Sequence, residues 1–368
     1  MINSLVNLYF SYSLAIGITS HRFVKQRFRS SIFSRYYALI ANILTLTLLP
    51  LVMWHTRAVF QTKGNFPQLI LITYNVRYLV TYSVIVYTIL SRGFRDTAFK
   101  EMEPLLLNLL KEEERCGQQD VRRSLMIMLY AKFFTIVWLC LTDSFFLFYS
   151  IETFNFLMIA RFVFLSNGNN VLLMVPMGYF LGLWHIARGL DFVNRRLDAI
   201  ITLSSRSPRD LEELQHLWSL HSALTKTAIN INKIYGPQML ASRFDNFIIG
   251  VIQAYWGAFF SFSISTPIFW LIYGTISYNM RSLDYYLIDH MCDVIVEYQS
   301  AARHAWSEHR WSKEISALVT YTNSLKLELW TCGLYQPNRS LWFGMTTSVW
   351  YYILMLLQFH LVMGNLKK

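Results

Sequence analysis

Charge is scarce in this chain. Asp, Glu, Lys and Arg make up 15% of its 368 residues, where a soluble domain carries about 25%. That shortage argues against a large soluble enzyme. Cysteine is scarce too: Cys116, Cys140, Cys292 and Cys332 stand far apart, with no CxxC pair and no Cys/His cluster at metal-ligand spacing, so neither a disulfide framework nor a bound metal is expected. The chain has no Gly-rich phosphate loop, no GxSxG elbow and no HExxH motif. His216/His221 and His304/His309 are five apart, which does not place a pair on one helix face. No enzymatic centre and no cofactor follow from these absences. Internal repeats, Gly/Ser linkers and low-complexity stretches are missing as well, so the chain reads as one continuous domain.

What the chain has is apolar bulk. It is 54% hydrophobic and 16% aromatic, with a mean hydropathy of +0.32 and repeated long apolar runs, the signature of a polytopic membrane protein. The formal charge of +11 could suggest nucleic acid, but the basic residues are spread over several segments between runs and form no single patch. Residues 1–20 are apolar but interrupted by Asn3, Ser4, Asn7, Ser11 and Ser13, which fits an interfacial helix better than a signal peptide. Spans are expected at about 36–55, 68–90, 125–149, 156–187, 238–260, 267–288 and 341–363. Leu105–Leu110 suggest an amphipathic helix between the second and third, or a cytoplasmic extension of those spans. Leu211, Leu214, Leu217, Trp218 and His221 suggest helices packed together below the membrane before the fifth. The fold class is therefore all-α and integral to the membrane, with seven transmembrane helices. Residues 1–35 precede the first span, 36–340 hold six spans with helical segments between them, 341–363 form the last span, and 364–368 are a short tail.

Lys and Arg give the orientation. Segments 1–35, 91–124, 188–243 and 289–340 hold five, seven, eight and five of them, against four on the opposite side. Cytoplasmic segments carry the excess, which places the N-terminus inside and the C-terminus outside. This is the inverse of a G-protein-coupled receptor, and the Asp-Arg-Tyr-like signature after the third span is missing too.

Several polar residues lie within the runs. Gln358 interrupts the last one. On a helix it shares a stripe with Thr347, Tyr351, Leu354 or Met355, and Val362, which suits either a pore face or a glutamine bonded to a neighbouring helix. Tyr74, Arg77, Tyr78, Asp143, Phe146, Tyr149, Arg161, Tyr255, Trp256 and Trp270 fall in the outer halves of their spans and could form a small-molecule pocket; equally, Asp143 could pair with Arg161 or Arg77 while the aromatics form an interfacial belt. Lys132 is expected to snorkel. Asp289, Asp293 and Glu297, four apart, could gather cations at an inner mouth, form a solvated face, or pair with Arg303. Gly178 and Gly182 fit the small-xxx-small pattern of close helix contact. The sequon at Asn338 is expected to lie inside, unused.

The last span resembles that of the insect gustatory receptors, whose signature is Thr-Tyr, five hydrophobic residues, then Gln-Phe. Tyr352, Ile353–Leu357, Gln358 and Phe359 match it, and Tyr351 replaces the threonine. His221…Leu224…Ile231-Asn232…Tyr235-Gly236-Pro237-Gln238-Met239-Leu240 and Cys332-Gly333-Leu334 are similar to the family's approaches to the fifth and last spans. The resemblance implies a homo- or heterotetrameric, tastant-gated, non-selective cation channel, multi-pass in the plasma membrane of gustatory neuron dendrites. It implies one pore lined by four last spans, at Gln358, Tyr351, Leu354, Met355, Phe359 and Val362, with a tastant pocket in each subunit and cytoplasmic helices holding the tetramer. No resemblance to sugar receptors is present, which points to a bitter-type or broadly tuned member. The alternatives are a seven-span receptor that signals through a cytoplasmic partner without its own pore, or a small-molecule transporter; against the latter, no inverted repeat appears.

Overall fold

A computed structural model describes residues 2–24, 27–62, 68–117, 121–149, 156–201, 208–261, 268–307 and 326–365. These residues are almost entirely helical. In chain order come α1 (Ile2–Ala15), a hairpin of β1 (His21–Val24) and β2 (Arg27–Ser30), then α2 (Ile32–Thr62), α3 (Gln68–Leu90), α4 (Arg92–Arg115), α5 (Arg123–Tyr149), α6 (Phe156–Ile201), α7 (Pro208–Ser261), α8 (Ile268–Ser307) and α9 (Arg339–Asn365). Among the described residues, five helices are long and apolar enough to cross a bilayer, within α2, α3, α5, α6 and α9. Asp, Glu, Lys and Arg are concentrated in α7 and α8 away from their apolar ends.

Helix α6 is the axis of the bundle. Of its apolar stretch 94% is buried, against 11% for α9. It packs on α5, α7, α8 and α2, and the largest fully buried side chains include its Trp184, Tyr179, Phe180 and Phe192. The Trp184 indole donates to the carbonyl of Leu125 at 2.9 Å, so even this deep ring has its N–H paired. The segments before and after the apolar parts of α6, α7 and α8 are not separate helices. They continue the same helices, whose backbone runs on past the ends of the apolar stretches. Pro176 and Pro237 lie inside α6 and α7, and each removes one ladder N–H.

Helix α1 is drawn into the bundle rather than left on a surface. Val6, Tyr9, Phe10, Ser13 and Leu14 are buried. The Tyr9 hydroxyl donates to the carbonyl of Met174 at 3.2 Å, and Asn170 donates to the Tyr12 hydroxyl at 2.7 Å. The hairpin that follows puts Phe23 opposite Phe28. Phe23 stacks on Phe10 and Phe28 meets it edge-on, as does Phe99 of α4, and such pairs contribute about 0.5–1.5 kcal/mol each beyond burial. Asp96 of α4 then closes the latch: it accepts from Thr19 Oγ1 at 2.6 Å, from the Ser20 amide at 3.1 Å and from Ser20 Oγ at 2.8 Å, with His21 at 3.5 Å.

Gly178 shows why a glycine sits at the α1–α6 contact. A Cβ there would stand 2.5 Å from the Tyr9 hydroxyl and 3.2 Å from that of Tyr235. At Gly182 it would meet Ile231 at 3.3 Å. The small-xxx-small spacing therefore marks one face of α6 on which both α1 and α7 approach closely.

Candidate functional site

Helix α9 begins where the chain is turned by Thr331–Tyr335. These two residues form an isolated bridge, with Cys332 (φ 52) and Gly333 (φ 71) between them in the left-handed region. Asn338 caps the helix: its Oδ1 accepts the Leu341 N–H at 2.7 Å. The glycosylation sequon thus doubles as a helix start.

One side of α9 packs and the other does not. On the packed side, Trp342 donates to the carbonyl of Ser282 at 3.0 Å, Val349 and Ile353 are buried with Val251 of α7, and His360 lies 3.1 Å from the Tyr255 hydroxyl. Tyr352 leans the same way, its ring edge-on to Phe247 at 5.7 Å. On the other side Thr347, Tyr351, Leu354, Met355, Gln358, Phe359 and Val362 are all exposed, Tyr351 by 69%. Among the described residues, the Gln358 side chain has no hydrogen-bond partner.

The aromatic residues singled out in sequence fall into two groups. Tyr74, Arg77, Tyr78 and Trp256 come together: the Tyr74 hydroxyl donates to that of Tyr78 at 2.8 Å, Tyr74 stacks on Trp256 with centroids 6.1 Å apart, and the Arg77 guanidinium lies 5.8 Å from the Trp256 ring. The Trp256 indole is fixed by Thr73 at 3.0 Å. Arg161 is within electrostatic reach of Tyr74 and rests its guanidinium 3.9 Å from Met158 Sδ. Tyr255, one residue from Trp256, faces α9 instead. The side chains of Phe146, Tyr149 and Trp270 lie outside the described residues.

Three expectations about charge need correction. Asp143 pairs with neither Arg161 nor Arg77 but with Arg281 at 3.3 Å, because α8 and not α3 or α6 presents a cation to that side of α5. Lys132 does not snorkel. It is wholly buried, 2.7 Å from Asp284 Oδ1 and 3.0 Å from the Asp284 carbonyl, and Thr135 donates to the same carboxylate at 2.8 Å. The Asp289/Asp293/Glu297 stripe is not one solvated face: Asp289 is buried in a two-pronged pair with Arg243, Asp293 accepts from Arg339 at 3.0 Å, and only Glu297 is exposed. The Arg303 side chain lies outside the described residues.

One polar knot went unread in sequence. Arg95 is 4% exposed. It donates to the Thr88 carbonyl at 2.6 Å, to Ser91 Oγ at 2.6 Å and to Gln238 Oε1 at 3.2 Å. The Gln238 amide in turn donates to Thr88 Oγ1 and Ser242 Oγ. Burial pulls the Arg95 guanidinium below its ordinary value, with nearby Tyr235 and Asp96 opposing. The knot joins the end of α3, the start of α4 and α7 just beyond Pro237. A buried amide following Tyr235-Gly236-Pro237 was the available signal. The stretch around Gln238 and that around Cys332 are also spatial neighbours: the Asn232 amide donates to the Trp330 carbonyl at 2.9 Å, and a Cβ on Gly236 would stand 3.5 Å from the Cys332 amide nitrogen.

A family model described as 7tm chemosensory receptor matches residues 6–363. The chain belongs to this family. Gustatory receptor 59b of Drosophila erecta is 65% identical over 282 residues, covering 76% of this chain and 48% of the relative; the match thus spans about half the length of the relative. The two place the chain among the insect gustatory receptors, and with its several apolar helices it is a multi-pass membrane protein. Among solved structures, the olfactory receptor OR5 of Machilis hrabei superposes with a TM-score of 0.63 at 12% identity, covering 97% of this chain and 99% of that one. The same receptor in complex with eugenol gives 0.59 at 11% identity, covering 96% and 99%. At that identity the chemosensory receptor shares a fold with OR5, and the likeness extends along almost the whole chain.

Proposed function

We propose that this gustatory receptor is a subunit of a tetrameric, tastant-gated, non-selective cation channel, bitter-type or broadly tuned, with seven spans, a cytoplasmic N-terminus and an extracellular C-terminus. The observation that carries the reading is the unpacked face of α9. A lone glutamine on a lipid-facing helix surface would be costly, whereas four such faces around a shared axis would line water. Gln358 and Tyr351 then supply polar positions, Leu354, Met355 and Val362 an apolar constriction, and Phe359 the flank of the same wall. The cluster of Tyr74, Arg77, Tyr78 and Trp256, with Arg161 nearby, supplies the converging rings and polar groups a small-molecule pocket needs; Asp143, Phe146, Tyr149, Tyr255 and Trp270 extend the proposed site. The eugenol complex of OR5 supports a small-molecule ligand. Tastant binding would shift α7 and α8, which hold α9 through Val251, Tyr255 and Ser282, and so move the constriction.

Excised patches without nucleotide are the test. Tastant-evoked cation current is expected, with ion permeability changed by Gln358→Glu and current reduced by Trp256→Ala. Currents that require G proteins, or permeability and gating unmoved by Gln358→Ala and Gln358→Glu, would overturn the reading. Glycosylation of Asn338 in cells would overturn the orientation.

A further inference from the structure

The outer face of the β1–β2 hairpin carries positive charge with no counter-charge among the described residues. Phe23 meets Phe10, and Phe28 meets Phe10 and Phe99. By strand alternation Arg22, Val24, Arg27 and Arg29 share the opposite face, and all four are exposed. Arg22 and Arg29 are direct register partners, and like charges placed so repel each other. A two-stranded hairpin is marginal by itself, so this pair is held together by the rings beneath it. No Asp or Glu occurs in residues 1–95. The first, Asp96, is buried and already accepts from Thr19 and Ser20. Glu103, which also reaches the hairpin, accepts from the Phe28 amide at 3.1 Å. Arg22, Arg27 and Arg29 form no ion pair with another described residue, and Arg35 donates to Ser30 Oγ at 3.1 Å.

This face lies at a membrane edge. A stretch apolar enough to cross a bilayer begins at Ile32. Arg29 stands three residues before it and so within about 11 Å along the chain, roughly one Debye length. Ile32 and Phe33 are each 75% exposed, and Tyr36 in the next turn of α2 is exposed too. We infer that the hairpin docks on anionic phospholipid, with a lipid phosphate bridging Arg22 and Arg29 and a second headgroup on Arg27. Guanidinium forks suit phosphate oxygens, and a bridging anion relieves the cross-strand repulsion. The apolar step beside the arginines, Val24, Ile32 and Phe33, selects a lipid surface over a soluble anion or an acidic protein, since it needs the acyl boundary to cover it. With the N-terminus inside, as proposed above, this is the cytoplasmic leaflet, where anionic lipid is concentrated. The docking stands whether or not α9 lines a pore.

The test is hydrogen exchange at the amides of residues 21–30, measured on the full chain in nanodiscs. Exchange should be slower when phosphatidylserine is mixed into phosphatidylcholine than in phosphatidylcholine alone. Each arginine near an anionic surface contributes about fivefold to binding. Arg22→Gln/Arg29→Gln should therefore weaken the phosphatidylserine-dependent protection about 25-fold, while Arg22→Lys/Arg29→Lys should keep most of it. In phosphatidylcholine alone the glutamine variant should exchange no faster than wild type, because its cross-strand repulsion is gone; faster exchange there would make the arginines structural and overturn the inference. Equal exchange of wild type in the two lipids overturns it, as does a phosphatidylserine effect that the glutamine variant retains or the lysine variant loses. Equal slowing by soluble glycerophosphoserine in phosphatidylcholine nanodiscs overturns it in favour of a free-anion site. Slowing by polyglutamate where phosphatidylserine gives none overturns it in favour of an acidic protein partner.

Discussion

Lys132 carries a charge with no exposed surface, 2.7 Å from Asp284. Removing one member of such a pair leaves the other uncompensated, at a cost of about 3–5 kcal/mol, while replacing both with apolar groups is often neutral or better. Lys132→Met alone is therefore expected to reduce the melting temperature and surface yield sharply, and Lys132→Met/Asp284→Leu to restore much of both. A double variant as unstable as the single one would show that Thr135 and the Asp284 backbone matter more than the pair. Gly178 is the second sensitive residue. Gly178→Ala forces the Tyr9 hydroxyl away and should cost about 1–3 kcal/mol, the usual range for overpacking, read as a lower melting temperature; adding Tyr9→Phe, which removes the clashing oxygen, should recover part of it. Neither partner was legible from sequence. The glycine spacing announced close contact but not with what, and a lysine in an apolar run is equally compatible with snorkelling until the register between α5 and α8 places Asp284 beside it.

At the level of elements, the helical class and the apolar runs could be read directly, because periodicity and hydropathy are local properties. Helix ends could be read only in part, from a run at 156–187 too long for a bilayer and a helical pattern at Tyr285–Tyr298 that outlasts the sixth apolar stretch. Hydropathy reports where apolar side chains stop, while the backbone ladder of α6, α7 and α8 runs on through polar residues whose own packing, such as Leu214, Leu217 and Leu224 against the α6 side of the core, is tertiary. The hairpin at residues 21–30 was missed for a related reason: it is basic, short and held by Phe10, Phe99 and Asp96 from other elements. In α9 the stripe through Gln358 was legible as a stripe, but which side packs was decided by Val251, Phe247 and Tyr255. The start of α9 is a property of Asn338. Asn338→Ala should cost about 1 kcal/mol and appear as faster amide exchange in the first turn of α9, whereas Asn338→Ser should keep the cap. Unchanged exchange in both would mean that the Thr331–Tyr335 turn and the Asp293–Arg339 pair fix the helix start without it.

Across the whole molecule, the N-terminal segment is tied to the bundle at Asp96, outside the apolar runs. Burial raises the carboxyl, but bonds from His21, Thr19 and Ser20 outweigh it and hold the group below the ordinary 3.8. A carboxylate lowered by folding contributes stability that is full above its unfolded value and is lost as pH falls through the folded one. The latch should accordingly hold throughout the neutral range and loosen only below about pH 3.8. Asp96→Asn, which keeps the shape but removes the charge, should loosen it at neutral pH. Limited proteolysis at the hairpin arginines checks both, and a variant as resistant as wild type would assign the tethering to Phe10, Phe23 and Phe28 instead.

Helix α7 is 54 residues long, which at the helical rise makes a rod of about 80 Å. Pro237 interrupts it, and the Arg95–Gln238 knot grips it at the same level from α3 and α4. A rod gripped at one level is a lever with a fulcrum. From there to Ser261 the arm measures about 36 Å, so a tilt of roughly 5° swings the far end by about 3 Å. Trp256 and Tyr255 ride on that arm, one touching the aromatic cluster and the other touching α9, so a displacement imposed at the first is carried to the second with nearly equal amplitude.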